Sequence, residues 1–464
     1  MNFLVDEKAY FALAPQHDDT ALHGRIVYAA KNSLRRCVLS VSVIQKINRL
    51  MTENIQRTRQ QTFFLILMLG ALNTITPFSI DMYLPGFPAI AHDLNTTIGN
   101  VALSVSTYFL GFAVGQIMYG PLLDRFGRKK PLYIGLGLYV VATACCILSH
   151  SIGELLLARF AQALTGCVAS VAAMAMVRDF FPIKESAKII SFLVLILGAS
   201  PLLAPTIGSF IIDSLGWQYV FVALAAIVLI MLLLTIFFLP EGHAPDTSIS
   251  LKPAPIIKGF REILVKRQFI VYSLAGTFSF AGLFVYVAGS PAIFMEGFHL
   301  SAKIYGAIFA FLSVGFIGGS QLNHLLSRKW SNEEIFRTTI IIQVIAALFY
   351  FIGSYNEWFG LPGNIACLFI VLSCCGLTYP NAAAIAMAPF SKNAGSASAL
   401  LGFIQIGIGG IISSGAGLLH LKGSMATAIT MTLASSVGLV ILLAGKTGMR
   451  EQIAEVKISE NEIV

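Results

Sequence analysis

An all-α membrane fold of twelve spanning helices, arranged as two pseudo-symmetric bundles of six, is what this sequence predicts. Three observations carry the prediction: an apolar composition, twelve hydrophobic runs of spanning length, and short sequence echoes about 200 residues apart. The 464 residues are 56% hydrophobic and only 12% charged, with a mean hydropathy of +0.79. That leaves too little polar surface to cover a soluble globule, so the chain belongs in a bilayer.

Runs of about 20 apolar residues span ~30 Å of hydrocarbon as helix. In order they lie near 62–84, 97–121, 131–149, 152–178, 187–213 and 217–239, and then near 269–295, 303–327, 333–354, 361–389, 394–420 and 423–445. Each must be helical, because a segment in lipid has to satisfy its own backbone hydrogen bonds, and the alternating pattern of a barrel strand is absent. Between runs six and seven lies a linker, 240–268, with Pro245, Pro253, Pro255 and the bases Lys252, Lys258, Arg261, Lys266 and Arg267. It separates two halves that echo each other. "FPAI" at 87–90 returns as "SPAI" at 290–293, "LGFAVGQ" at 110–116 resembles "VGFIGGS" at 314–320, and Arg128-Lys129 has its counterpart in Arg328-Lys329. A parallel repeat of six helices is a secondary-transporter signature, with a midplane site enclosed by two rocking bundles. The expected organisation is an N-terminal extension (1–61), a first bundle (62–239), the linker (240–268), a second bundle (269–445) and a tail (446–464).

Charge orients the bundle. With the N-terminus inside, the outer loops hold only Lys303 and Lys422, Arg159 lies within a span, and the other Lys and Arg fall on the inner side. The positive-inside rule then places both termini in the cytoplasm. The net charge of +8 is thereby explained by topology rather than by nucleic acid. Six of the seven cysteines (Cys145, Cys146, Cys167, Cys367, Cys374, Cys375) sit in apolar runs without histidine at ligand spacing, as small packing residues rather than disulfides or zinc ligands. "GLVILLAGKT" near 438–447 has the wrong glycine spacing for a phosphate loop, and no H-E-x-x-H or G-x-S-x-G occurs, so no enzyme chemistry is expected and energy must come from an ion gradient.

Three motifs resemble one family. "GPLLDRFGRKK" matches the loop between helices two and three of the major facilitator superfamily, through Gly120, Asp124, Arg125, Gly127, Arg128 and Lys129. "SIDMYLPGFPAI" is similar to the helix-one signature of its bicyclomycin- and chloramphenicol-resistance branch, and "LLLARFAQALTGCVAS" supplies a helix-four arginine motif through Arg159, Gln162 and Gly166. The resemblance covers about 62–445 and implies proton-coupled efflux of small amphipathic drugs by alternating access in an inner membrane. Export of an endogenous metabolite and proton-coupled uptake share the same bundle, whereas a receptor would carry an added signalling domain. The implied partners are a drug-like substrate, protons and lipid, with no cofactor, metal or nucleic acid, and the chain is expected to act as a monomer.

Individual residues follow. Gly120 lets helices approach, Asp124 can face the positive N-terminal dipole of a helix in the other half, and Arg128 can bind an acid such as Asp179, so the loop reads as a conformational latch favouring the outward-open state. "LGASPLLAPTIGS" keeps Gly198, Pro201, Pro205 and Gly208 of the antiporter motif in helix five, with Ala204 and Ser209 where glycines are commoner. Asp81 and Arg159 both lie within ~10 Å of the outer face at 1.5 Å per residue. They are expected to pair, so that substrate disturbing the pair releases a proton. Relatives with a second acid two turns earlier differ from this chain, which has Asn73 there, so its cavity favours neutral or weakly charged amphipaths. Candidate lining groups are Asn73, Tyr83, Tyr108, Phe112, Gln116, Asn381 and Gln405. Residues 1–50 carry no spanning run or cleavage site and are expected to be dispensable, with Met51 opening a short polar leader.

Overall fold

The computed structural model describes residues 59–461, apart from 182, 243–244, 247–252, 391–393, 420 and 422–423. Two units are distinguished, 1–63 and 64–464, and the architecture below is that of the second. The expected extension, 1–61, falls outside the described residues except for its last three positions.

Fourteen α-helices are described. The first seven are α1 (Arg59–Asp81), α2 (Phe87–Asp93), α3 (Ile98–Phe126), α4 (Lys129–Ile147), α5 (Ile152–Phe180), α6 (Ile183–Leu215) and α7 (Gln218–Phe238). The rest are α8 (Pro253–Leu264), α9 (Arg267–Pro291), α10 (Ala302–Leu326), α11 (Asn332–Tyr355), α12 (Leu361–Met387), α13 (Ala394–Leu418) and α14 (Met425–Asn461). Among the described residues eleven helices are long and apolar enough to cross a membrane; α6, the remaining expected span, carries a shorter apolar stretch from Ser200 to Leu215. Tight turns between spans are closed by local caps. Thr97 and Ser151 accept the Asn100 and Glu154 amides, and Ser331 with Glu334 forms a reciprocal capping box at the start of α11.

Four boundaries differ from the sequence expectation. The first span bends after Asp81 through a 3₁₀ turn, Leu84–Gly86, into α2, because Pro85 and Pro88 start new turns rather than continue the old one. The linker contains α8, opened by Pro253 at its first position. The seventh span ends in a π-helical turn, Ala292–Gly297. The last helix runs on to Asn461 through the expected tail, whose residues are mostly good helix formers without proline.

Within the first six spans α3 packs on α5, α5 on α4, and α4 on α7; within the second, α9 packs on α12, α13 and α14, and α12 on α10 and α11. The two sets meet chiefly where α3 runs beside α13 and α6 beside α10. These meetings are close at the end that carries Asp81. Ser106 donates to Ser413 at 3.3 Å, the Phe109 and Phe284 rings lie 4.5 Å apart, and Lys303 bridges to Asp213 at 3.4 Å. The two sets are therefore joined at the Asp81 end.

Candidate functional site

Among the described residues Arg159 is the largest fully buried side chain, at 0% exposure. Its Nη1 donates to Gln162 Oε1 at 2.5 Å and its Nη2 to the Ser79 carbonyl at 2.8 Å. The guanidinium also lies 4.3 Å from the Tyr83 ring centroid and 4.4 Å from that of Tyr108. A charge removed from water is costly unless its donors and its field are both answered. Here an amide oxygen and a carbonyl answer the Nη donors and two aromatic faces answer the charge without an acid, while Nε has no hydrogen-bond partner among the described residues. The network continues as Gln162 donates to Thr143 and Thr143 to the Tyr139 carbonyl, while the Tyr139 hydroxyl meets Ser79 Oγ at 2.5 Å. Arg159 thus ties α5 to α1, and Gln162 ties α5 to α4. The second six repeat the device: Gln343 of α11 and Thr378 of α12 both bond Ser279 of α9, and Gln343 reaches Cys375.

Asp81, the last residue of α1, is 5% exposed. The pairing expected between Asp81 and Arg159 is not among the described ion pairs: the Nη donors go to Gln162 and Ser79, and the guanidinium face goes to Tyr83, Tyr108 and, at 5.7 Å, Phe221. Arg159 is engaged within the first six, on groups of α1, α3 and α5, while the turn that follows Asp81 packs against α9 and α10 of the second.

Of the other candidate cavity residues, Tyr83 and Tyr108 clasp Arg159, and Tyr83 also bonds Ser104 at 2.8 Å, whereas the Tyr108 hydroxyl has no partner. Asn381 donates to Asn323 and to the Leu377 carbonyl, joining α12 to α10, with its own Oδ1 unpartnered. Asn73 and Phe112 are buried on α1 and α3. Gln116 lies against Gly402 with Oε1 unpartnered, and Gln405, three residues further along α13, lines a small cleft with Tyr272, Thr277 and Tyr379.

At the opposite end Arg128 is held between two acids. Its Nη1 lies 2.6 Å from Asp124 and its Nε 2.8 Å from Asp179. Burial opposes the charged guanidinium, but the hydrogen bonds to Asp179 and Asp124 outweigh it and raise the Arg128 pKa above its ordinary value. Glu241, just past α7, accepts the Arg128 and Lys129 amides at 2.7 and 3.1 Å, an anion on the exposed N-terminus of α4. Gly127 makes the approach possible with φ +81°, where a side chain would be strained and would crowd Glu241. The Asp246 amide donates to the Asp124 carbonyl. Arg125 lies 5.9 Å from the Phe126 ring centroid. Asp124 therefore pairs within its own half here rather than facing a helix of the other, and no helix crowds Gly120.

The profile of the Major Facilitator Superfamily matches residues 69–414. The chain belongs to the major facilitator superfamily. It is 30% identical over 358 residues to an uncharacterized MFS-type transporter, YdgK, of Bacillus subtilis and, separately, to a bicyclomycin resistance protein homolog of Haemophilus influenzae, covering 77% of this chain and 89% of each relative. It is 31% identical over 339 residues to the multidrug resistance protein MdtL of Escherichia fergusonii, covering 72% and 84%. Among solved structures the fold matches a D-xylose-proton symporter (TM-score 0.65, 16% identity, 81% of this chain and 97% of that one). It also matches a bacterial homologue of the lysosomal transporter Spinster (TM-score 0.63, 15% identity, 84% and 96%). The protein is a multi-pass membrane transporter of this superfamily, not an enzyme.

In this facilitator two of the helix-five residues, Pro205 and Gly208, lie toward the Asp81 end. A side chain on Gly208 would overlap the Met82 carbonyl, so α6 and the end of α1 touch backbone to backbone, and the Pro205 carbonyl lies opposite Gly306 of α10. Pro201 and Pro205 lie inside α6 without ending it; Gly198 lies on the same helix. Sequence reasoning missed Glu241 and the Lys303–Asp213 bridge. Both had a signal. Glu241 is an acid directly after an apolar run that ends on the same side as "GRKK", and Lys303 is one of only two bases assigned to outer loops.

Proposed function

We propose that this facilitator exports small, neutral or weakly charged amphipathic drugs in exchange for protons by alternating access, as a monomer in the inner membrane with the Arg128 end and both termini in the cytoplasm. The observation that carries the reading is Asp81, a buried carboxyl at the closed end of the bundle with no counter-ion among the described residues. An acid inside a membrane bundle marks a proton or ion pathway. The names of the relatives point to drug export. In this reading 62–239 and 269–445 are the two rocking bundles and Arg159 fixes the level of α1 beside the proton site. Asn73, Tyr83, Tyr108, Phe112, Gln116, Asn381 and Gln405 contribute to the substrate path. The cluster of Gly120, Asp124, Arg125, Gly127, Arg128, Lys129 and Asp179 is the latch, with Arg128 holding both acids. The helix-five residues seal the Asp81 end.

The test is transport in proteoliposomes under an imposed pH gradient, with radiolabelled bicyclomycin as probe. Export predicts accumulation that depends on the gradient, with proton movement opposite to drug. Proton movement in the same direction as drug would make the protein a symporter and overturn the proposal.

A further inference from the structure

Only Val265 and Lys266 separate the linker helix α8 (Pro253–Leu264) from the spanning helix α9, which begins at Arg267. The end of α8 therefore lies where the chain enters the membrane, at the end of the molecule that α7 reaches beside Arg128. One face of α8 is used within the protein. Ile263, 1% exposed, joins a cluster with Phe269 and Tyr272 of α9 and Leu400 of α13, and Phe260 packs against the same cluster. Another face is left free. Residues three and four apart lie on one side of a helix, which aligns Ala254, Ile257, Arg261 and Leu264, with Lys258 beside them. Ile257 is 63% exposed, Leu264 38%, and Val265, just past the helix, 74%. Ala254, Lys258 and Arg261 are exposed as well.

The charge of this stretch is one-sided. From Ile257 to Arg267 the bases Lys258, Arg261, Lys266 and Arg267 are all exposed, against the single acid Glu262, and no described ion pair includes any of the four. Topology alone accounts for bases at this end, but it does not call for aliphatic side chains beside them in water. Bases interleaved with exposed aliphatics on one helix face are the pattern of a helix lying in the plane of the interface, its apolar groups in the acyl boundary and its long basic side chains reaching the phosphates. We infer that α8 is such a helix, and that its free face docks on the anionic phospholipid headgroups of the leaflet at the Arg128 end. Ile257, Leu264 and Val265 enter the acyl boundary, and Lys258 and Arg261 meet the phosphates. Because Ile263 and Phe260 hold α8 to α9 and α13, docking ties the start of the second six to that leaflet. The inference requires only that the chain spans a membrane, and it is independent of Asp81 and of the direction of transport.

Amide exchange of the full chain tests this, in nanodiscs of phosphatidylcholine alone and of an equal mixture with phosphatidylglycerol, because exchange reads how often a helix detaches and opens. A base near an anionic surface is worth about fivefold, so Lys258 and Arg261 together should slow exchange across 257–265 about thirtyfold in the mixture relative to phosphatidylcholine. Added salt should weaken that gain, Lys258→Gln with Arg261→Gln should abolish it, and Lys258→Arg should keep it. Ile257→Ser with Leu264→Ser should speed exchange in both membranes. The capped start of α11, 331–337, lies near the start of α9 through the Tyr272 and Phe336 rings and should exchange alike in the two. Equal exchange across 257–265 in both membranes overturns the inference, as does a gain that survives loss of the two bases. A matching gain at 331–337 would mean general stabilisation by the lipid, and the same protection from inorganic phosphate added to phosphatidylcholine discs would mean a site for free anions; either overturns it. Unchanged exchange in the Ile257→Ser, Leu264→Ser protein would show that the aliphatic face does not enter the bilayer and would overturn it too.

Discussion

Arg159→Ala removes a guanidinium that makes two hydrogen bonds and faces two rings. Hydrogen bonds to a charged group contribute about 1.5–3 kcal/mol each, and a desolvated ring face contributes about 2 kcal/mol, against an ion desolvation penalty of several kcal/mol. Truncation leaves Gln162 Oε1 and the Ser79 carbonyl unpaired in a dry site, so the expected loss is about 3–5 kcal/mol. That is on the order of 10 °C in melting temperature. Because none of these contacts involves Asp81, the effect should be independent of Asp81→Asn. The two substitutions should add to within about 0.5 kcal/mol, or roughly 2 °C in the double variant. The protein supplies its own reporter: Cys146, Cys167 and Cys375 are buried free thiols that a thiol-reactive fluorophore reaches only on unfolding. The reasoning is refuted if Asp81→Asn recovers several degrees in the Arg159→Ala protein that it does not gain in the parent. That outcome would mean the arginine had been neutralising the acid.

Three further outcomes follow from the same geometry. Asp124→Asn weakens a half-exposed ion pair worth at most about 1 kcal/mol, so stability and substrate affinity should hold while turnover falls severalfold; near-normal turnover at matched expression would exclude the latch. Glu241→Gln removes the charge from the α4 N-terminus, a loss of about 0.3–1 kcal/mol that should appear as faster amide exchange at Arg128 and Lys129, and unchanged exchange would show that the contact does not protect them. Lys303→Asp should favour opening of the Asp81 end, read as faster modification of a cysteine placed at Ser106; adding Asp213→Lys should restore the parent rate, and failure of the swap to do so would show that the bridge does not hold the end closed.

Eleven of the twelve expected spans, among the described residues, were legible because lipid imposes a constraint that sequence states directly: each segment must be long, apolar and internally hydrogen-bonded. The Arg128 cluster was partly legible, since "DRFGRKK" brings Asp124 and Arg128 one helical turn apart, and Asp179 ends a span on the same side. Glu241 was not, because its reach across 113 positions to the Arg128 amide depends on how α7 stands against α4. The same limit explains the missing Asp81–Arg159 pair. Counting residues gives the depth of a side chain along a helix but not the direction it faces once helices are packed. The Asn381 amide shows the same, with a polar group in a span acting as interhelical glue through Asn323.

The central claim is that Asp81 carries the proton exchanged for drug. Substrate-induced proton release from detergent-solubilised protein tests it most directly, comparing the parent with Asp81→Asn at matched bicyclomycin occupancy. The account predicts stoichiometric release from the parent and none from Asp81→Asn. Equal release from both proteins would contradict it and place the exchanged proton on another group.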